Sequence, residues 1–512
     1  MQLSRQALAQ IDSSRVQVPE QAYFDLPEKV LQFGTGVLLR GLPDYFIDQA
    51  NKRGVFNGRI VVVKSTQTGD VSAFAVQDYL YTHCIRGLDQ GRLIQEQCIN
   101  ASISRILSAQ TDWDHILACA ANPELVLVIS NTTEVGIRLV PDDIRASPPA
   151  SFPGKLLAFL YRRFHLFQGD PAKGMVIIPT ELLPDNGKLL HTILVDMARA
   201  HRLEDAFVQW LQHCNTCCSS LVDRIVPGKL TPAMQEQTSL DLGYRDELMM
   251  MSEVYRLWAI ETSSQQVKAL LSFSQVDKGV VLADDISQFR ELKLRLLNGP
   301  HTLSCGLAYL AGFDTVKQAM ADPAFFHYIE HLMLLEIVPV LTSPLIGAEL
   351  ATRFAREVLD RFRNPFLEHA WLNISLQYSF KMRMRNVPLL LQYARKFQGN
   401  PAYLCWGFAA YLLFMKCEQS GGGQYAGRAW GRQYSIQDDQ AQRFCSMWAK
   451  SANTAVLVQQ VLSCEDLWGT NLALLPGLAD SIQQKLDALM ADGPKAVIRD
   501  LLQQAGAMDI HQ

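Results

Sequence analysis

Four short Val/Ile-rich runs constrain the fold more than any other feature of this chain. They are KVLQFG (29–34), RIVVVKS (59–65), ELVLVISN (124–131) and GMVIIPT (174–180). None alternates strictly between apolar and polar, so each reads as a strand buried on both faces. Helical stretches separate them, such as PDYFIDQANKRG (43–54) and PGKLLAFLYRRFHLF (153–167). Strand, helix, strand in succession predicts a doubly wound parallel sheet of the Rossmann type. The stretch 78–106 alternates more and is expected to form an antiparallel extension.

After about residue 286 the pattern changes to a 3.6-residue period, and no segment reads as a strand. The chain is thus expected to divide into residues 1–285, an α/β dinucleotide-binding domain with extra strands, and 286–512, a mostly α-helical domain for substrate binding and catalysis. A length of 512 residues suits two or more domains at roughly 150 residues each. The Gly-rich stretch SGGGQYAGRAWGRQY (420–434) reads as a mobile surface loop.

Charge narrows the function. The net charge of −4 gives no basic field for nucleic acid or an anionic membrane. The first residues lack a secretory h-region, and no uninterrupted apolar run reaches the roughly 20 residues of a membrane span. Eleven scattered cysteines then predict reduced thiols in a cytoplasm. In HCNTCCSS, His213, Cys214, Cys217 and Cys218 contain one C-x-x-C pair without a second at zinc spacing, so no metal is expected.

Gly34 and Gly36 directly follow the first run. Glycines there allow a tight turn and a close approach of backbone to a pyrophosphate at a helix start. Leu39 stands where the G-x-G-x-x-G pattern has its third glycine. At the end of the second run, where NAD sites place an acid, this chain has Lys64. That cation also suits the 2′-phosphate of NADP, so the residues alone leave NAD and NADP both open. Thr132, Thr133 and Glu134 follow the third run, and the carboxyl ends of strands are where ligands bind in such sheets.

KLRLLNGPHT (293–302) brings Lys293, Asn298 and His301 together. In one unbroken α-helix, Asn298 and His301 would lie about 140° and 80° around the axis from Lys293. The other reading is a helix stop at Asn298-Gly299, with Pro300-His301 opening the next helix. Chemically, a lysine can deliver the proton that carbonyl reduction requires, and Asn and His can both donate to the same oxygen.

FGTGVLLRG, SNTTEVG, LVDRIVP, KLRLLNGPHT and DRFRNPFLEH occur in that order. Together they resemble the polyol/mannitol-type long-chain dehydrogenase family, across roughly residues 28 to 490. The resemblance implies a Rossmann domain joined to a helical domain and a metal-independent mechanism. It implies Lys293 as general acid/base within K-x4-N-x2-H, with Asn298 and His301 on the reacting oxygen. It also implies substrate contacts from Arg361 and Asn364, which match the family's RFxNP pattern, whereas the Asp223-Arg224 pair of LVDRIVP reads first as structural, with Asp223 a candidate substrate contact. Mannitol-type members carry a second asparagine where this chain has Leu182, after Glu181. That TEL variant resembles the branch acting on hexuronates, which interconverts D-tagaturonate and D-altronate with NAD(H). A uronate carboxylate needs a cation. Among Arg361, Arg363, Lys381, Arg383 and Arg385, the expected partners are Arg361 and Lys381. The expected partner overall is a small sugar acid, with the protein a monomer or small homo-oligomer. The alternatives are a mannitol, fructuronate or other polyol dehydrogenase on the same scaffold, and a dinucleotide-binding sensor without catalysis.

Overall fold

The computed structural model describes residues 1–66, 69–132 and 136–509. These form two compact units, one of residues 1–87 with 93–286, the other of 88–92 with 287–512.

The first unit is built on six parallel strands: β1 (Glu28–Phe33), β2 (Arg59–Lys64), β3 (Ile103–Ser108), β4 (Leu127–Ser130), β5 (Val176–Pro179) and β6 (Thr216–Cys217). Their order across the sheet is β3-β2-β1-β4-β5-β6. This is the order of a dinucleotide-binding doubly wound sheet. Every residue of β2 is buried, as the run RIVVVK requires. Alternate residues feed two cores. Leu31, Val61, Val63, Val128 and Ile177 pack under Leu156, Leu194 and Phe207 on one face. On the other, Val30, Ile60, Val62, Ile129 and Ile178 pack with Phe46, Trp258 and Phe273. A strand with a core on each side has no polar face, which is why its sequence does not alternate.

The stretch 78–106 is more divided than its alternation suggests. Tyr81–Asp89 and Arg92–Asn100 enter a separate four-stranded sheet, whereas Ile103–Ser108 becomes β3 and pairs parallel to β2.

The second unit is mainly helical, but it is not strand-free. Cys417–Ser420, Gln424–Ala429 and Arg432–Ile436 form an antiparallel sheet within the segment expected to be a mobile loop. Trp430 and Gly431 both have positive φ, 45° and 76°, the geometry of a two-residue hairpin turn. The ring of Tyr434 covers Gly427, where a Cβ would lie 2.4 Å from it. The Tyr434 hydroxyl donates to the Phe414 carbonyl at 2.9 Å, tying the sheet to the helix Ala402–Phe414. Glycine here makes room for an aromatic ring instead of loosening the backbone.

The helical run Pro323–Leu341 is long and apolar enough to cross a membrane by composition, yet 61% of it is buried inside the unit. It passes through a π-helical turn, Leu332–Ile337. Glu336 in that turn is buried and accepts from the backbone N–H groups of Tyr403 and Leu404, both at 2.8 Å. It thus satisfies two otherwise orphaned donors at the start of Ala402–Phe414. Burial pushes its carboxyl up to about 7. The folded state therefore holds this proton more tightly than the unfolded chain does. Its contribution to stability is full below about 4.5 and is lost as pH rises through about 7. Glu336→Gln replaces one acceptor oxygen with a donor facing an N–H. We expect it to cost about 1–3 kcal/mol in chemical denaturation at neutral pH. A variant as stable as the parent would show that the two N–H groups need no carboxylate.

Candidate functional site

In the first unit, β1 ends in a turn that only glycine fits. Gly34 has φ +129°, and a Cβ on it would lie 2.8 Å from the Asn131 carbonyl oxygen and 2.9 Å from Leu39 Cδ1. Gly34 N–H donates to the Val63 carbonyl at 3.0 Å, so the turn is also held from β2. Gly36 differs: among the described residues nothing lies within 4 Å of where its Cβ would be. It immediately precedes the helix Val37–Gly41. One glycine closes the turn and the other leaves open space, the division that backbone approach to a pyrophosphate requires. The residues present therefore fit a dinucleotide. Below the turn, Gln32 Nε2 donates to Gly34 O and to Asp44 Oδ2, both at 3.4 Å. Burial pushes the Asp44 carboxyl up to about 8.

The β1 and β4 carboxyl ends adjoin because the strand order reverses there. Asn131 N–H donates to Phe33 O at 3.1 Å. Thr132 donates to Glu181 Oε1 from its backbone N–H at 2.9 Å and its hydroxyl at 3.0 Å. Ser130 Oγ donates to Glu181 Oε2 at 3.1 Å. Glu181, buried after β5, is thus a strap fixing the end of β4, a role the sequence reading did not assign to it. Its neighbour Leu182 is exposed. Asn186 is buried and gives its amide to the carbonyls of Pro179, Glu181 and Ser220. Thr133 and Glu134 lie outside the described residues.

Lys64 is buried at the end of β2 and donates to Thr66 O at 3.0 Å. Asp223 is buried at the end of Ser220–Asp223. Its neighbour Arg224 is structural. It donates to the carbonyls of Gly41 and Glu253 and lies over the Tyr45 ring at 4.8 Å. Cys214, Cys217 and Cys218 are free thiols, and His213 contacts Gln209. Among the described residues no group of three or more His, Cys, Asp or Glu is placed to hold a metal.

In the second unit, the lysine and the asparagine occupy a single π-helical segment, Lys293–Asn298, between the helices Ser287–Leu292 and Gly299–Leu310. The helix neither stops at Asn298-Gly299 nor stays α throughout. Pro300 supplies the physical reason. It has no N–H, and in an α-helix its ring collides with the carbonyl four residues back, that of Leu296. The wider i→i+5 turn absorbs the defect without breaking the rod. It also rotates the residues after it, so the angles of an unbroken α-helix do not apply.

The π segment packs against Ala348–Phe362 and Tyr378–Arg385. Arg295 pins it there, donating to Glu291 Oε2 at 3.1 Å and to the carbonyls of Met384 and Arg385 at 2.7 and 2.9 Å. In return Arg385 Nη1 donates to Thr302 Oγ1 at 2.8 Å. Lys293 and Asn298 are half-buried, whereas His301 is buried. The His301 ring stacks on Phe362 at 3.8 Å and meets the edges of His369 and Trp371 at 5.1 and 6.2 Å. Burial, then the nearby His369, Arg361 and Arg385, hold its pKa well below the usual value. The imidazole is neutral at physiological pH and keeps one N–H to donate.

Around this core the structure gathers cations. Arg361 and Asn364 are buried at the end of Ala348–Phe362. Lys381, half-buried, donates to Ile374 O at 3.0 Å. Its pKa is lowered by burial and by Arg385 one turn on. Arg363 and Arg383 are exposed and lie elsewhere, over Phe326 and against the Asp466 carbonyl. His369 was not singled out from the sequence. The only signal for it was its place in DRFRNPFLEH, five residues after Asn364.

Comparison with known proteins adds a family context. Residues 28–271 match the model of the mannitol dehydrogenase Rossmann domain, and residues 285–490 that of the mannitol dehydrogenase C-terminal domain. The altronate oxidoreductase of Halalkalibacterium halodurans is 36% identical over 490 residues, 94% of each chain. That of Bacillus subtilis strain 168 is 35% identical, covering 94% of this chain and 97% of the relative. That of Pectobacterium carotovorum is 37% identical, covering 92% and 96%. Two solved structures share the fold. Pseudomonas fluorescens mannitol 2-dehydrogenase, in a ternary complex with NAD and D-mannitol, has TM-score 0.67 at 24% identity, covering 98% of this chain and 100% of its own. A substrate-free D-sorbitol dehydrogenase has TM-score 0.77 at 19% identity, covering 97% and 100%.

Proposed function

Because this chain belongs to the mannitol dehydrogenase family, we propose that it interconverts D-tagaturonate and D-altronate with NAD(H), the reaction of a tagaturonate reductase, or altronate oxidoreductase. The observation that carries this reading is a whole-length likeness of 35–37% to three proteins named for that oxidation. The cationic surroundings of His301 support it, since a uronate brings a carboxylate that mannitol lacks.

Gly34 and Gly36 would hold the cofactor pyrophosphate, Lys64 would face the ribose, and Thr132, Thr133 and Glu134 would serve the nicotinamide side. When bound, NAD(H) supplies or takes up the hydride. The rest is the work of the chain's own groups. Lys293 gives a proton to the substrate oxygen in the reducing direction and removes it in the oxidising direction. Asn298 and the neutral imidazole of His301 donate hydrogen bonds to that oxygen and its neighbours, favouring the charge that develops there. Arg361 and Lys381 bind the carboxylate, and Asn364 and Asp223 the hydroxyls. Residues 1–285 thus serve the cofactor and 286–512 the acid/base chemistry, in a cytoplasmic enzyme of hexuronate catabolism.

The test is a panel of tagaturonate, fructuronate and fructose, each with NADH and with NADPH. Tagaturonate with NADH is expected to give the highest kcat/KM. A higher value with fructuronate or fructose would reassign the substrate within the same family. Binding of NADH without turnover of any of them would leave a sensor.

A further inference from the structure

We propose that Arg385 and His369 complete, with Lys381, a seat for the sugar-acid carboxylate, and that this seat sets the preference for charged over neutral substrates. The inference rests on the reaction proposed for this chain, and it adds two residues to which that reaction gave no role.

The first observation is uncompensated charge. Lys381 and Arg385 stand four residues apart on the helix Tyr378–Arg385 and share one face. Like charges at this spacing repel, and both groups are partly withdrawn from water. Among the described residues neither has a carboxylate partner. The Lys381 ammonium donates to a backbone carbonyl and the Arg385 guanidinium to a threonine hydroxyl. Half-buried cations ordinarily find an acid in the fold. Two adjacent ones that lack it are arranged for an anion from outside.

The second observation is spare donors. Arg385 commits one N–H, to Thr302, and its other nitrogens are not sealed in the interior. Lys381 commits one of its three. His369 is half-buried, and neither of its ring nitrogens has a hydrogen-bond partner among the described residues. A planar carboxylate accepts two parallel N–H bonds from a guanidinium and has further lone pairs for an ammonium and an imidazole.

The third is position. In tagaturonate the ketone and the carboxylate are near opposite ends of a six-carbon chain. The carboxylate seat must therefore lie beside the residues that hold the reacting oxygen, without overlapping them. Arg385 is tied to Thr302, the residue after His301, and the His369 ring meets the edge of the His301 ring. Both residues adjoin the oxygen-holding group from outside.

Altronate and its neutral analogue altritol, titrated by calorimetry onto the NADH-loaded protein so that neither is oxidised, separate this from a structural role. The parent protein should prefer altronate. Arg385→Met should cut that preference roughly 10–100-fold, the loss of one or two charge-assisted bonds. Arg385→Lys should restore part of it, and His369→Phe should give a smaller cut. Equal weakening of both ligands by Arg385→Met, or no change in their ratio, would overturn the proposal, as would a parent protein that binds altritol as tightly as altronate. Turnover is judged separately. A parent that binds altronate through Arg385 but fails to reduce tagaturonate would refute the proposed reaction and leave the seat standing.

Discussion

Lys293→Ala is expected to lower kcat with tagaturonate about 10³–10⁴-fold, within the range that a positioned general acid supplies. NADH affinity should remain within about threefold of the parent, because the glycine turn that fits the cofactor lies in the other unit and is held by β2 and β4. The size of the loss follows from where the lysine sits. It opens a π-helical turn whose register is set by Pro300 and whose placement is locked by Arg295 against two carbonyls of a neighbouring helix. Added primary amines should recover part of the rate, since they restore a proton donor without restoring the covalent link. Stopped-flow measurement of NADH oxidation decides the matter. Turnover within tenfold of the parent would remove Lys293 from the chemistry.

The second large effect concerns the glycine turn, where two neighbouring substitutions should separate. Gly34→Ala forces a Cβ to within 2.8 Å of a backbone oxygen at a φ that alanine rarely adopts. That oxygen cannot easily retreat, because Asn131 is itself bonded to Phe33. We expect a stability loss of about 1–3 kcal/mol and NADH binding weakened at least tenfold. Gly36→Ala meets no atom of the described residues within 4 Å, so its melting temperature should match the parent. Its NADH affinity should nevertheless fall, since the methyl group enters the space left for the pyrophosphate. Thermal unfolding and fluorescence titration read the two effects independently. If Gly36→Ala binds NADH as the parent does, the turn is not the pyrophosphate seat.

Parts of this molecule were legible in one dimension because the physics behind them is local. Val61, Val62 and Val63 announce a strand covered on both faces, and the spacing of the apolar runs announces a parallel sheet. Gly34 announces a turn. Other parts misled for equally physical reasons. The glycines of 420–434 read as mobility, but Gly427 is there to lie under Tyr434, a partner seven residues away across a hairpin. Asn298-Gly299-Pro300 reads as a helix stop, but packing against Ala348–Phe362 and Tyr378–Arg385 keeps the rod continuous. The cost falls on one widened turn.

By itself the sequence determined the strand succession, the doubly wound class of the first unit, and the identities of the lysine, asparagine and histidine that could serve one reaction. These depend on residue type and on spacing along the chain. Only the tertiary structure decided which of five nearby basic residues gather around His301, that Glu181 is a strap, and that the His369 ring lies against His301. Those facts depend on which helix faces meet and on which charges lack a partner. Partners lie tens of residues apart in sequence, as Arg385 does from Thr302, and no local pattern records the pairing.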